Sequence, residues 1–440
     1  MYLKLAVRNA KRSAKDYMLY LTTMFVMSTL IMFSNLLSVS IDTIDGAQAN
    51  AVPLVIALVM MALMHYINSF MLRRRMRELA TYMLLGMKKS WISTIFFIES
   101  LLLGLLCFLL GMFVGGLIFA VISSAVNLEV FSNNWFSIYG NAASQSLLYF
   151  VLIQISSLVI GHRKIIRLQL RKLMDEEKRN EFSNNSLKPK IWAAMFLINF
   201  AIAFILLLLV AYSNNEFVAM ISTAMIMIPI LVCFYAFYKA VFHIVAWIRI
   251  NRHSWLYKGN RIYFATQWLS KMKSNIMINT VLSICLLFSA VSFVIGVVVL
   301  NVPDTLFHAE QALWMAFAQI SMSIVFLVTY FSILSVRQIV DARENRFGFR
   351  IMFYLGQRKA QLSRLVFKEI FLKFFLPVIM SVLLLGFSIY PLNALLNTVL
   401  TVNNLLLLAV MMFLICFIAL YTGFLLIAYR ISTAAINQIR

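Results

Sequence analysis

Ser93–Ile122 reads STIFFIESLLLGLLCFLLGMFVGGLIFAVI, thirty residues with one charged side chain, Glu99. A helix needs about 20 mostly apolar residues to cross a bilayer, so this stretch is a membrane span with length to spare. It lacks the apolar–polar alternation that a transmembrane β-strand requires. Nine further stretches read the same way: 17–40, 51–72, 146–160, 191–211, 217–238, 276–300, 313–336, 365–390 and 404–429. The run at 146–160 is short and is expected to extend into its flanks. The expected fold class is therefore an all-α polytopic membrane protein with ten transmembrane helices. Composition agrees. Of 440 residues 62% are hydrophobic and only 12% charged, against about 25% charged in soluble domains, and the mean hydropathy is +0.89. A soluble enzyme, a disordered chain, a coiled coil and a collagen-like chain are all excluded.

Charge sets the orientation. The chain carries 38 Lys and Arg against 16 Asp and Glu, a formal +22, which in a soluble protein would point to nucleic acid. Here the distribution decides. The connections 41–50, 123–145, 212–216, 301–312 and 391–403 contain no Lys or Arg, whereas the opposite set holds 36 of the 38. The remaining two, Lys368 and Lys373, lie in the first turns of the ninth span. The positive-inside rule thus places both termini in the cytoplasm and accounts for the charge without a nucleic-acid partner. No cleavable signal peptide is expected. The first sixteen residues instead read as an amphipathic helix along the anionic inner leaflet, with Leu3, Val7, Ala10 and Ala14 on one stripe.

The chain echoes itself. Arg75–Gly86, RMRELATYMLLG, is followed by MKKSWISTIFFIE; Asn345–Gly356, NRFGFRIMFYLG, is followed by QRKAQLSRLVFKE. Gly86 and Gly356 are 270 residues apart, as are Glu99 and Glu369, and Lys88–Lys89 matches Arg358–Lys359. Basic stretches at 5–16 and 263–275 each precede a span. This predicts a parallel internal repeat in a 4+2+4 arrangement: a four-helix unit over 1–175, a linker and extra pair over 176–250, and a second four-helix unit over 251–440. Within the linker, Asp175–Glu181 is charged and Phe182–Lys190 reads as a loop.

The repeated cytoplasmic segment has the character of a lever. A short helix bearing Glu78, Leu79, Tyr82, Met83 and Leu84 ends at Gly86 and Met87; its counterpart carries Arg343, Glu344, Phe347, Gly348, Tyr354, Leu355 and Gly356. Apolar residues such as Leu79, Met83, Phe347, Phe349 and Tyr354 on the cytoplasmic side need a partner to bury them. Gly104, Gly111 and Gly115 share one face of the third span and predict close helix packing. Pro229 and Pro377 are candidates for kinks in spans six and nine. Glu99 and Glu369 read as helix-end anchors, with Lys368 and Lys373 as candidate cations for Glu369. The external acids Asp42, Asp45, Glu129, Glu216, Asp304 and Glu310 face no external basic residue. The four cysteines fall in apolar runs without ligand spacing, no His pairs with them, and no metal site is expected. None of the 14 glycines starts a P-loop, so no nucleotide site is expected in this chain. Few charges near the bilayer midplane argue against a secondary transporter.

The segment RRRMRELATYMLLGMKKSWISTIFFIES, residues 73–100, resembles FtsX-like ABC-transporter permeases. With the opening LKLAVRNAKRSAKDYMLYLTT, residues 3–23, and ten spans as four plus two plus four, the chain is similar more narrowly to the bacitracin-resistance (Bce-type) permeases of Gram-positive bacteria. The resemblance implies that Glu78–Met87 and Arg343–Gln357 are coupling helices docking two copies of a separate ABC ATPase, which binds ATP and Mg. It implies mechanotransmission rather than a continuous pore, in antimicrobial-peptide resistance or in peptide or lipid export, at the membrane of a Gram-positive cell. A histidine kinase is a possible partner, and a non-transporting scaffold or sensor regulating such a kinase is the alternative. Bce-type permeases carry a large extracellular domain between spans seven and eight; here that connection is only Asn301–Ala312, NVPDTLFHAEQA. Recognition then falls to a separate extracellular accessory protein, or the spans act directly on a lipid-soluble substrate.

Overall fold

The computed structural model describes residues 14–45, 76–125, 135–166, 189–212, 225–251, 261–270, 272–301, 309–354, 356–399 and 405–437, with isolated positions 57, 61, 64, 65, 68, 71, 72 and 222. Among these residues the regular structure is wholly helical. The helices are α1 (Ala14–Asp45), α2 (Met76–Leu84), α3 (Lys89–Ala125), α4 (Trp135–Ile166), α5 (Pro189–Tyr212), α6 (Met227–Asn251), α7 (Arg261–Ser270), α8 (Met272–Leu300), α9 (Ala309–Tyr354), α10 (Lys359–Val399) and α11 (Leu405–Asn437). Nine of the described helices are long and apolar enough to cross a membrane.

The expected span 51–72 lies mostly outside the described residues. Its described positions are helical, and Ala57, Met64, Asn68, Met71 and Leu72 are buried along one helical stripe. The N-terminal amphipathic stretch before Ala14, the linker 167–188 and most of the connection after Asn301 also lie outside the description. Several boundaries move. Helix α4 begins at Trp135, inside the stretch expected to be an external connection, and α10 runs through Pro391 to Val399, also expected to be loop. Helix α6 extends to Asn251, beyond the expected end at 238; Pro229 lies in its first turn, just after a turn at Ile226 that follows the helical positions Ser222 and Met225. Pro377 does sit inside a helix.

Two compact units divide the chain at 179/180. In the first, α1 packs against α3 and α4, and α3 against α4. Helix α1 is the buried member, with Met32, Leu36 and Asn35 fully enclosed. The three glycines expected on one face of α3 stand against its neighbours. A Cβ on Gly104 would lie 2.6 Å from Gln154 Nε2, on Gly111 1.9 Å from Ser28 Oγ, and on Gly115 2.7 Å from the Thr29 carbonyl oxygen. That closeness lets side chains bond across to backbone: Tyr20 donates to the Ser100 carbonyl at 2.8 Å and Ser28 to the Cys107 carbonyl at 3.0 Å. Asn35 donates to Ser146 at 2.8 Å. In a bilayer such polar groups have no water to turn to and must be satisfied internally.

In the second unit α8 is central, packed by α6, α7, α9, α10 and α11, while α5 lies on α6 and α10. Cys233, Phe234, Tyr238, Phe242, Trp268, Leu376 and Met380 form one core. Tyr238, Ser283, Pro377 and Ser381 tie α6, α8 and α10 together: Ser283 donates to the Pro377 carbonyl at 2.9 Å, and Ser381 to the Ser283 carbonyl at 3.0 Å. The outer faces expose Leu, Ile and Phe along α3 to α5, α10 and α11, the surface that acyl chains would cover.

Candidate functional site

Two turns carry the same backbone chemistry 270 residues apart. Gly86 ends α2 with φ 85° and Gly356 ends α9 with φ 94°, in the left-handed region where a Cβ is penalised. At the first, Gly86 N–H donates to the Met83 carbonyl at 3.1 Å and Met87 N–H to the Tyr82 carbonyl at 3.1 Å; at the second, Gly356 N–H donates to Phe353 at 3.0 Å and Gln357 N–H to Met352 at 3.2 Å. This paired closure is a Schellman motif. The next helix starts alike in both, with Trp91 and Ile92 donating to Lys88, and Gln361 and Leu362 to Arg358. Gln361 Oε1 also accepts from Arg358 N–H at 3.3 Å, half of a capping box. A Cβ on either glycine meets nothing within 4 Å, so the backbone conformation, not lack of space, calls for glycine.

The side chains around the turns divide. Leu84 is 64% exposed, Leu85 81%, and Tyr354 68%; Leu84 and Tyr354 occupy matching positions. Glu78 and Gly348 are exposed, and Tyr82, Met83 and Met87 half-buried. Leu79 and Phe349, another matched pair, are buried inside their own units. This corrects the expectation that both await an external partner: they fasten the turn to its unit. Leu85 is the exposed residue that the sequence reading passed over. The side chains of Arg343, Glu344 and Phe347, and all of Leu355, lie outside the description. The second lever is also not a short separate helix. Helix α9 runs unbroken for 46 residues from Ala309 to the turn, about 69 Å at 1.5 Å per residue.

Behind each turn lies a small crevice with polar side chains among largely apolar walls. In the first unit it is lined by His65, Asn68, Ser93, Ser157 and His162, with Ser93 and His162 hydrogen-bonded at 2.9 Å. Lys89 Nζ donates to the Ile166 carbonyl at 3.3 Å, tying the start of α3 to the end of α4. The corresponding crevice of the second unit is lined by Gln338, Asp341, Asn345, Glu369, Lys373 and Ser432, and Gln338 donates to Ser432 at 2.8 Å. Asn68 and Gln338, like His162 and Ser432, are again 270 apart. Each crevice has room for about one water molecule.

The second crevice is ionic. Lys373 Nζ lies 2.8 Å from Asp341 and 2.7 Å from Glu369. Glu369 also accepts from Asn345 and from the Tyr263 hydroxyl, each at 3.0 Å. Gln267 donates to Asn345, and Arg337 reaches Asn279 and Asn275 on α8. Burial, then the Glu369 carboxylate beside it, pushes the Tyr263 hydroxyl far above its ordinary range. Of the cations suggested for Glu369, Lys373 is the partner and Lys368 is exposed. Neither Arg337 nor Asp341 stood out in the sequence, although they share one helix face at a spacing of four, as do Glu369 and Lys373. Arg337, Asp341, Glu369 and Lys373 are all buried, as is Glu99 in the first unit. Among the described residues no three His, Cys, Asp or Glu side chains gather as a metal site.

Residues 50–170 match the FtsX-like permease C-terminal family model. The matched stretch is just over a quarter of the chain and contains the first turn. Shifted by 270, the FtsX-like stretch corresponds to 320–440, which contains the second. No curated protein matches the chain. The match supports a permease of the ABC-transporter type, a multi-pass membrane component in a family that pairs with an ABC ATPase.

Proposed function

We propose that this chain is the permease of an ABC transporter that works by mechanotransmission, with the turns at Gly86 and Gly356 as the docking points of a separate ATPase. The observation that carries this reading is the pair of matched turns. Each offers exposed apolar side chains, Leu84 and Leu85 or Tyr354, where a helix ends and a long apolar helix begins. A closing ATPase dimer pushes on both turns, and helices α3, α9 and α10 carry the displacement across the bilayer. ATP and Mg belong to the ATPase. Two turns in one chain call for two ATPase copies and no second permease. The work performed is antimicrobial-peptide resistance or peptide or lipid export at the membrane of a Gram-positive cell, with an extracellular accessory protein and a histidine kinase as further partners. Purification of the tagged protein from its own host, with every accompanying chain counted, tests this. Two P-loop ATPase copies per permease is the expected result. A histidine kinase without any ATPase, with ATP hydrolysis blocked, would replace this reading with that of a non-transporting sensor scaffold.

A further inference from the structure

Helix α6 turns one stripe of side chains outward. Ile228, Leu231 and Tyr235 are exposed, and Lys239 follows one turn later, half-buried. At spacings of three and four they succeed one another along one helix face. The stripe thus runs from apolar through aromatic to cationic, the order in which a bilayer passes from acyl chains to its surface. Lys239 is held in place there. Its Nζ lies 3.6 Å from the centre of the Trp192 ring and 5.2 Å from that of Tyr235, and it donates to the Tyr235 hydroxyl at 3.4 Å. The two rings meet edge to face with centres 6.1 Å apart. Rings of this kind direct a cation but carry no opposite charge. Among the described residues no carboxylate pairs with Lys239, and an ammonium with three donors has some to spare. The surroundings add positive potential. Trp192 lies in the first turn of α5, which packs on α6 and also holds the exposed Lys190 and no acidic residue. The amide groups of that turn carry the positive end of the helix dipole.

We propose that Lys239, supported by Lys190 and the first turn of α5, is a binding site for an anionic phospholipid, with the phosphate at Lys239 and an acyl chain along Tyr235, Leu231 and Ile228. Basic pockets between membrane helices hold such headgroups at the surface where anionic lipids gather, and the lipid brings the charge that no described carboxylate brings. The site does not depend on the ATPase-docking reading. The full-length protein in lipid discs, without any ATPase, tests it. The discs are phosphatidylcholine with a minor share of either phosphatidylglycerol or phosphatidylcholine brominated near the headgroup end of its chains, since bromine quenches tryptophan on contact. The chain has 7 Trp, so the emission lost in Trp192→Phe, made in each background, is read as that of Trp192. Brominated phosphatidylglycerol is expected to be enriched at Trp192 about fivefold or more over its share of the disc, and brominated phosphatidylcholine not to be enriched. Lys239→Gln strands no ion and should remove most of the enrichment, while Lys239→Arg should keep it. If Lys239→Gln does not fold, the two lipids compared in the wild type decide the matter, with Lys190→Gln, at an exposed position, expected to lower the enrichment about twofold or more. Equal quenching by the two brominated lipids in the wild type overturns the site; it is the outcome expected if a carboxylate of Asp175–Glu181 reaches Lys239 instead. Enrichment that survives Lys239→Gln unchanged overturns it as well.

Discussion

Replacing Leu84 and Leu85 together by alanine separates a docking surface from an incidental one. Each substitution removes three carbons, and a buried CH2 is worth about 0.8 kcal/mol, so a side chain passing from full exposure to full burial loses about 2.4 kcal/mol. Scaled by exposures of 64% and 81%, the pair loses about 3.5 kcal/mol if docking covers it completely. Docking covers such tips only in part, and area-based figures run high. A loss of about 2–3 kcal/mol, or about 30- to 150-fold in Kd, is therefore expected. The assay is titration of the co-purified ATPase onto the permease in lipid discs, beside a thermal unfolding scan. The scan should not move, because both side chains already face outward. A Kd within about threefold of wild type would refute the reasoning, since a factor of three is under 1 kcal/mol. Leu79→Ala is the control with the opposite pattern: at 3% exposure it should lower the melting temperature, by the equivalent of about 2–5 kcal/mol.

Gly86→Ala and Gly356→Ala each force a Cβ into the left-handed region. A cost of about 1–2 kcal/mol is expected, read as faster amide exchange at the turn, with Asn at either position costing less. Gly111→Ala brings a Cβ to 1.9 Å from Ser28 Oγ and 2.9 Å from the Thr29 amide, so α1 and α3 must part and the melting temperature should fall; Gly140→Ala, in open space, should leave it unchanged. Lys373→Met alone strands Asp341 and Glu369 without their cation, and a loss of about 3–5 kcal/mol should appear as poor recovery of folded protein.

How much was legible depended on how locally each feature is encoded. Long apolar runs are local, so 93–122 and 404–429 could be read directly as membrane helices; the first lies inside α3, and the second from Leu405 onward inside α11. The turns were visible because MLLG and FYLG each put glycine where a helix must stop, and a Schellman closure needs little beyond its own seven residues. Which turn residues face outward was not visible. Leu79 and Leu84 look alike in sequence, and only the packing of α2 on α3 separates them. Helix α6 ran past its expected end for a related reason. Lys239 looks like the start of a loop, but its ammonium lies 3.6 Å from the centre of the Trp192 ring, supplied by a different helix, so the charge is accommodated and the helix continues. The ionic crevice was hidden most deeply. Arg337 and Asp341 follow the expected span 313–336 and were read as part of a basic connection, whereas the unbroken course of α9 buries them, and their partners come from α8 and α10.

The arrangement of those ions has an electrical consequence. Helix α9 contributes Arg337 and Asp341 to the interior, and α10 contributes Glu369 and Lys373. Each leg thus brings one positive and one negative charge. A net charge moving through the field of an energised membrane exchanges about 2.3 kcal/mol per 100 mV. If the proposed docking slides one leg past the other, it displaces a dipole but no net buried charge, and such a stroke would do almost no work against the membrane potential. On that reading, a change of membrane voltage would not bias the resting position of the rod.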